Sequence, residues 1–229
     1  MEVFGSVLDV LFPARCVGCG APPAALCPAC LARCRPVPAS PGPPPPPGFD
    51  WWVAAFAYEG AVREALARVK YRNARSALPL LAAAVVGRVR EQGPGPVDLV
   101  TWPPTGTARR RQRGFDQAEH LARVVGRGLD VPVRPCLTRR AGPAQTGRSA
   151  RERRRGPTFG ARPVAGLRVL VVDDVATTGA TLAAAAAALR AGGASVLGAA
   201  TVARTPLRAD GADRSRSAQA VAPESRYQD

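Results

Sequence analysis

The chain has 229 residues, of which 46 % are hydrophobic and 5 % aromatic, with a formal net charge of +15. That length suits one medium domain plus an appendage, and no window approaches the roughly 18 uninterrupted apolar residues of a membrane span. All but one of the 32 basic residues are arginine, Lys70 being the exception, and they face only 17 acids; a GC-rich genome explains arginine over lysine but not the excess, which suggests polyanionic partners, phosphorylated small molecules or nucleic acid.

The first segment, "MEVFGSVLDVLFP", carries Glu2 and Asp9 and no early base. It does not read as a secretory signal, and the expected compartment is the cytoplasm. Val3, Val7 and Leu11, like Phe4, Leu8 and Phe12, fall at helical spacing, so a short amphipathic docking helix is expected. Five cysteines follow, and Cys16, Cys19, Cys27 and Cys30 read C-x2-C-x7-C-x2-C. Each C-x2-C pair presents two thiolates to one tetrahedral ion across a tight turn, which Gly18 and Gly20 ease. Disulfides fit poorly without a signal segment, and a redox pair needs no second copy. A structural zinc ion supplying the folding energy of a short module is the reading, with Cys34 as a substitute ligand. Four thiolates close the coordination sphere and argue against catalysis there.

The stretch "RPVPASPGPPPPPGFD" admits neither helix nor central strand and marks an extended spacer. The expected organisation is therefore a helix and cysteine module over 1–36, a Pro-rich linker over 37–50, a larger domain over 51–205 and a disordered tail over 206–229. Within the larger domain strands are expected at 51–58, 96–104, 131–139, 167–174 and 195–204, and helices at 60–72, 77–92, 114–129 and 178–193. Val62, Leu66 and Val69, then Ala118, Leu121, Ala122 and Val125, give two of the apolar faces. Residues 140–158 are basic and without period, and a mobile loop is expected there. Cys136 is expected to be a small core residue. Alternating strand and helix give an α/β fold, a mainly parallel sheet flanked by helices, whose ligands bind at the carboxyl ends of strands.

Two features lie at such ends: the Pro103–Pro104 turn and "VVDDVATTGAT" at 171–181. Two adjacent acids, Asp173 and Asp174, repel each other, but together they accept hydrogen bonds from a cis-diol. Ala176, Thr177, Thr178 and Gly179 then open a helix, whose free N–H groups and positive dipole end cradle a phosphate. A diol clamp beside a phosphate cradle describes a ribose 5-phosphate.

"VLVVDDVATTGAT" resembles the phosphoribosyl-diphosphate (PRPP) signature of type I phosphoribosyltransferases. "RQRGFDQAEHLA" (111–122) and "LTRRAGPAQTGRSARERRRGPTF" (137–159), with "LFPARCVGCG" and "LCPAC", resemble the ComF family, which also carries an N-terminal four-Cys zinc motif. The resemblance spans about residues 8 to 204. It implies catalytic and PRPP-binding roles for Asp173 and Asp174, and a 5-phosphate loop of Ala176, Thr177, Thr178, Gly179 and Thr181. It also implies a pyrophosphate loop from Pro103 to Thr107, with Pro104, Thr105 and, from a little further on, Arg113. Mg²⁺ would accompany PRPP, and Arg139, Arg140 and the 148–155 cluster are candidates for a cover over the reacting centre. Gln117 and Gln145 are either polar contacts or surface residues, and His120, the single histidine, reads as a half-buried helix residue. Three functions follow: a phosphoribosyltransferase with a nitrogenous acceptor, a competence accessory factor binding single-stranded DNA or a competence protein, and a ligand-responsive regulator. Few aromatics are available for base stacking: Trp51, Trp52, Trp102 and Phe115.

Overall fold

The apolar runs of the sequence become a four-stranded parallel sheet in the computed structural model, which describes residues 15–22, 24–38, 44–72, 75–140 and 156–206. In chain order the elements begin with α1 (Pro28–Ala32), β1 (Trp51–Ala57), α2 (Gly60–Arg72), a 3₁₀ turn (Arg75–Ala77) and α3 (Leu78–Gln92). They continue with β2 (Leu99–Thr101), α4 (Thr107–Arg113), α5 (Gln117–Leu129), β3 (Leu137–Arg139) and β4 (Phe159–Ala161). β5 (Arg168–Ala176), α6 (Ala180–Ala191) and β6 (Val196–Arg204) complete the order. The sheet runs β1-β6-β5-β2, with Trp51 opposite Gly198, Val169 opposite Leu197 and Val100 opposite Leu170.

Val169 to Val172 of β5 and Leu197 to Ala200 of β6 are buried without alternation, as strands covered on both faces require. One face packs on α2, α3 and α5, through Leu66, Val85, Leu121 and their helical neighbours. The other packs on α6, whose buried residues Leu182, Ala185, Ala186 and Leu189 recur at helical spacing. The small alanines of α6 and β6 allow helix and sheet to approach closely. Among the described residues no helix is long and apolar enough to cross a membrane.

Three local expectations change. The strand expected at 96–104 contracts to Leu99–Thr101, because Pro96, Pro103 and Pro104 lack the N–H a central ladder needs. The strand expected at 131–139 is cut by Pro132 and Pro135: Val133 makes a lone parallel bridge to Val100, and only Leu137–Arg139 forms a strand. That strand leaves the main sheet and pairs antiparallel with β4, an element the sequence did not reveal. The third change is α4, unforeseen because "TARRRQR" has no apolar face. It ends at Gly114, in the left-handed region with φ 72°, whose N–H reaches the Arg110 carbonyl.

The cysteine segment packs against the larger domain: Cys16, Val17, Leu26, Cys30 and Cys34 share the core with α2 and α3, and Arg68 donates to the Cys16 carbonyl. Both ends of the Pro-rich stretch are tied to the sheet. Val37 N–H donates to the Ala55 carbonyl and Asp50 N–H to the Leu197 carbonyl. The expected N-terminal helix over 3–12, the 148–155 cluster, Gln145 and the tail from 207 lie outside the described residues.

Candidate functional site

β2 and β5 are adjacent and parallel, so their carboxyl ends open into one cleft of about 250 Å³. Pro104 and Thr105 from the turn after β2, Arg113 from α4, Asp173 and Asp174 from β5, and Thr177 and Thr181 from the following loop and helix all line it. Pro104, Thr105, Arg113, Asp173, Asp174, Thr177 and Thr181 are thus brought to one cleft, whereas Ala176, Thr178 and Gly179 are not among its lining residues. Tyr58, Lys70, Gln117 and Arg139 also line it, with Pro103, Ala118 and Val175.

The two acids are not the end of β5 but lie within it, three and two residues before Ala176. Val172 and Val175 pack against the same core although their parities differ, and Val171 and Ala176 both join the other core. The alternation of faces therefore slips by one at Asp173–Asp174 while the register to β6 stays constant. That slip lets neighbouring carboxylates share one cleft. The Asp174 N–H donates to Asp173 Oδ1 at 2.8 Å, which fixes the first carboxylate against the backbone of the second. Burial first, then the Asp174 charge, pushes the Asp173 carboxyl well above its usual range; the Asp174 N–H and Lys70 oppose this, and Asp116 adds to it. Asp174 instead has a counterion, Lys70 Nζ at 2.8 Å from Oδ2, with both side chains largely buried.

The turn after β2 is held from α5. Asp116, the N-cap of that helix, accepts from Thr105 N–H at 2.8 Å, Thr105 Oγ1 at 3.2 Å and Glu119 N–H at 3.4 Å. Arg139 Nη1 donates to the Pro104 carbonyl at 3.5 Å, and its guanidinium lies over the Phe159 ring. Beyond β5, Gly179 caps α6 in the left-handed region with φ 72°, a conformation that favours glycine. Thr177 and Thr178 are exposed, and the first N–H groups of α6 face the loop. Ala176, Thr178 and Gly179 turn toward a second hollow of about 140 Å³ on the far side of the loop, which Pro46, Trp52 and Arg204 also line; only Thr177 borders both. His120 is half-buried on α5.

Sequence reading missed Lys70 and Asp116. Lys70 carried a signal, as the only lysine in a chain that otherwise uses arginine. Asp116 resembled any helix cap, and only the fold shows the second segment it holds.

The second cluster is the four cysteines. The sulfurs of Cys16, Cys19, Cys27 and Cys30 all lie within 4.8 Å of one another. Zn–S bonds of about 2.3 Å in a tetrahedron put sulfurs about 3.8 Å apart, and Cys19 and Cys27 are separated by 3.8 Å. Backbone N–H groups prepare the set: Gly18 and Cys27 each donate to Cys16 Sγ at 3.3 Å, and Cys30 donates to Cys27 Sγ at 3.4 Å. Burial opposes the Cys16 thiolate, but donors from Cys27, Cys19 and Gly18 outweigh it and hold the group at about 6. Burial and the neighbouring thiols push Cys30 to about 12. Four thiol sulfurs at this spacing, two of them accepting from backbone N–H groups, are a donor set that suits zinc. Cys34 is not among the four; its thiol donates to the Cys30 carbonyl. Cys136 is buried in the core, as expected.

The phosphoribosyl transferase domain family matches residues 112–220. Orotate phosphoribosyltransferase of Xanthomonas axonopodis pv. citri (strain 306) is 36 % identical over 113 residues, 49 % of this chain and 47 % of the relative; the chain thus spans about half of its length. Similar solved structures include the glutamine PRPP amidotransferase from B. subtilis, with 21 % identity, a TM-score of 0.39, and coverage of 56 % of this chain and 26 % of that one. The purine phosphoribosyltransferase from Pyrococcus horikoshii Ot3 has 20 % identity, a TM-score of 0.36, and coverage of 56 % and 74 %. The family match begins one residue before Arg113 and takes in the whole of the Asp173–Thr181 segment, whereas the cysteine cluster lies outside it.

Proposed function

We propose that the cleft binds PRPP or a related phosphosugar and transfers its phosphoribosyl group to a nitrogenous acceptor. The observation that carries this reading is that Asp173, Asp174, Thr177 and Thr181 line one cleft together with Pro104 and Thr105 of the turn after β2. The carboxylates accept from the two ribose hydroxyls, and the N–H groups opening α6 take the 5-phosphate. Thr105, Arg113 and Arg139 face the diphosphate. In the reaction the bond from C1 of the ribose to the diphosphate oxygen breaks, and its electron pair leaves on pyrophosphate. The acceptor nitrogen then bonds to C1 and gives up a proton. Fixed cations near the departing pyrophosphate stabilise the charge as it develops. The oxygen-rich acids and the ligand's own oxygens suit Mg²⁺, which would neutralise diphosphate charge when bound. The cysteine cluster is read as a structural zinc site.

Calorimetric titration with PRPP and Mg²⁺ tests the reading. Saturable binding is expected in the wild type, and its loss in the folded Asp173→Asn, Asp174→Asn double variant. Affinity that survives both changes overturns the diol clamp.

The ComF resemblance links the chain to DNA uptake, and one observation favours a single-stranded DNA reading: Arg110 and Arg111 of α4 are exposed. The supply of stacking rings is smaller than the sequence suggested, since Trp102 is buried under Arg123. An oligonucleotide titration across salt concentrations tests this, since phosphate-dominated binding weakens steeply with salt.

A further inference from the structure

Two residues that line the cleft lie outside the family match over 112–220: Tyr58, just past the end of β1, and Lys70, on α2. Both belong to parts of the chain that the cysteine segment holds. Near the start of that segment, Arg68 of α2 donates from Nη1 to the Cys16 carbonyl at 3.4 Å. Arg68 and Lys70 stand about 200° apart around the helix axis, so α2 meets the cysteine segment with one side and the cleft with nearly the opposite one. There Lys70 Nζ reaches Asp174 at 2.8 Å. Near the end of the segment, Pro36 bridges Phe56 in an antiparallel pairing. Ala57 N–H donates to the Arg35 carbonyl at 2.9 Å and Val37 N–H to the Ala55 carbonyl at 3.1 Å. Tyr58 directly follows Ala57 and lines the cleft.

The cysteine cluster joins these two tethers. Cys16 belongs to the first, and Cys30 sits on α1, the turn of helix that leads into the second. Between residues 15 and 38, among those described, the only helix or strand is the five-residue α1. A helix that short is not stable through its own hydrogen bonds. One ion bonded to Cys16, Cys19, Cys27 and Cys30 sets the separation of the two ends of the segment and supplies the energy that keeps them there. We infer that zinc at the cysteine cluster controls ligand affinity at the cleft, by fixing α2 and the end of β1 in the arrangement in which Lys70 holds Asp174 and Tyr58 lines the cleft. Without the ion the tethers part, arrangements lacking the Lys70–Asp174 pair become populated, and affinity falls with the fraction of competent protein. The inference deepens the proposed function and rests on its two readings, PRPP in the cleft and zinc at the cysteines. The ion acts through the fold, and no step of the reaction is assigned to it.

The experiment compares the full zinc-loaded chain, the same chain stripped by a zinc-selective chelator, and Cys19→Ser, which removes the exposed ligand without opening a cavity in the core. PRPP with Mg²⁺ is titrated into each by calorimetry, and circular dichroism follows the fold. Lys70 is the only lysine, so growth on isotope-labelled lysine places a single NMR reporter in the cleft that needs no ligand. The stripped chain and Cys19→Ser are expected to stay folded, to bind PRPP about tenfold more weakly, and to show a displaced Lys70 Cε resonance. Linkage requires the reverse as well: saturating PRPP must tighten zinc against a competing chelator by the same factor. That measurement uses zinc-loaded protein throughout and decides the matter if the stripped chain unfolds. A PRPP affinity and a Lys70 resonance that ignore zinc would make the cysteine segment an independent appendage and overturn the inference. Zinc retention indifferent to bound PRPP, or purified protein without zinc, would overturn it too. If PRPP binds no form of the protein while zinc removal still displaces the Lys70 resonance, the phosphosugar reading falls and the coupling stands.

Discussion

Lys70 Nζ lies 2.8 Å from Asp174 Oδ2, joining α2 to the acid pair of β5 across the cleft. Both side chains are more than four-fifths buried, so the pair is little screened, and removing one partner leaves the other charge enclosed. Lys70→Met is therefore expected to destabilise the protein by about 2 kcal/mol, within the range for charged hydrogen bonds and below that for fully buried pairs, since both side chains keep some exposure. The double variant Lys70→Met, Asp174→Asn should recover most of that loss. Urea unfolding of both singles and the double gives the coupling; additive losses would mean that the ion pair contributes nothing.

Asp173 sits beside that pair, and among the described residues it forms no ion pair like that of Asp174 with Lys70. Its raised carboxyl means that the folded state holds the proton more tightly than the unfolded chain. Its contribution to stability is fully present below the ordinary carboxylate value of about 4 and is lost as pH rises through the folded value. Asp173→Asn keeps an oxygen for the Asp174 N–H and removes the ionisable proton. The variant should match wild type near pH 3 and exceed it at neutral pH by on the order of 1 kcal/mol, or about 2–4 °C in midpoint for a chain of this size. PRPP affinity should fall in the same variant. Thermal unfolding across pH checks the sign: a midpoint that drops at neutral pH would contradict the burial of this carboxyl.

Legibility of the sequence tracked how local each signal was. The α2, α3 and α5 faces and the buried runs of β5 and β6 were readable because period and apolarity lie within one segment. β4 and its pairing with β3 were not, because each strand is three residues and their partnership spans residues 137–161. At the cleft, Asp173, Asp174 and Thr177 announced themselves through a contiguous motif. Gln117 did not, since burial separates a polar contact from a surface glutamine and burial depends on the whole fold. The parity slip at the acids is likewise invisible in "VVDD", because it is set by packing of Val172 and Val175 on one core.

The cysteine cluster makes a separate prediction. Purified protein should carry close to one zinc per chain. Gly18 is the sensitive position, since a Cβ there would stand 2.6 Å from Cys30 Sγ and 2.9 Å from its Cβ. Gly18→Ala should therefore weaken zinc retention by about tenfold or more, measured by competition with a chelator. Gly20→Ala provides the contrast: no atom lies within 4 Å of its Cβ position, although its φ of +81° adds backbone strain. Zinc content equal to wild type in Gly18→Ala would show that the cluster is not packed as described.

Asp116 is the last position at which one side chain controls two segments. It is 5 % exposed and spends both oxygens on the Thr105 turn and the α5 N-terminus. An N-cap alone is worth about 1 kcal/mol, and the two bonds to Thr105 raise the expected cost of Asp116→Ala to about 2–3 kcal/mol. Asp116→Asn keeps Oδ1 as an acceptor for Glu119 N–H but presents an amide toward Thr105 N–H, donor against donor. It should therefore hold most of the helix while releasing the turn. If that turn binds diphosphate, Asp116→Asn lowers PRPP affinity several-fold yet leaves binding of ribose 5-phosphate, which has no diphosphate, near the wild-type value. Equal loss for both ligands would place the effect of Asp116 on the cleft as a whole rather than on the turn after β2.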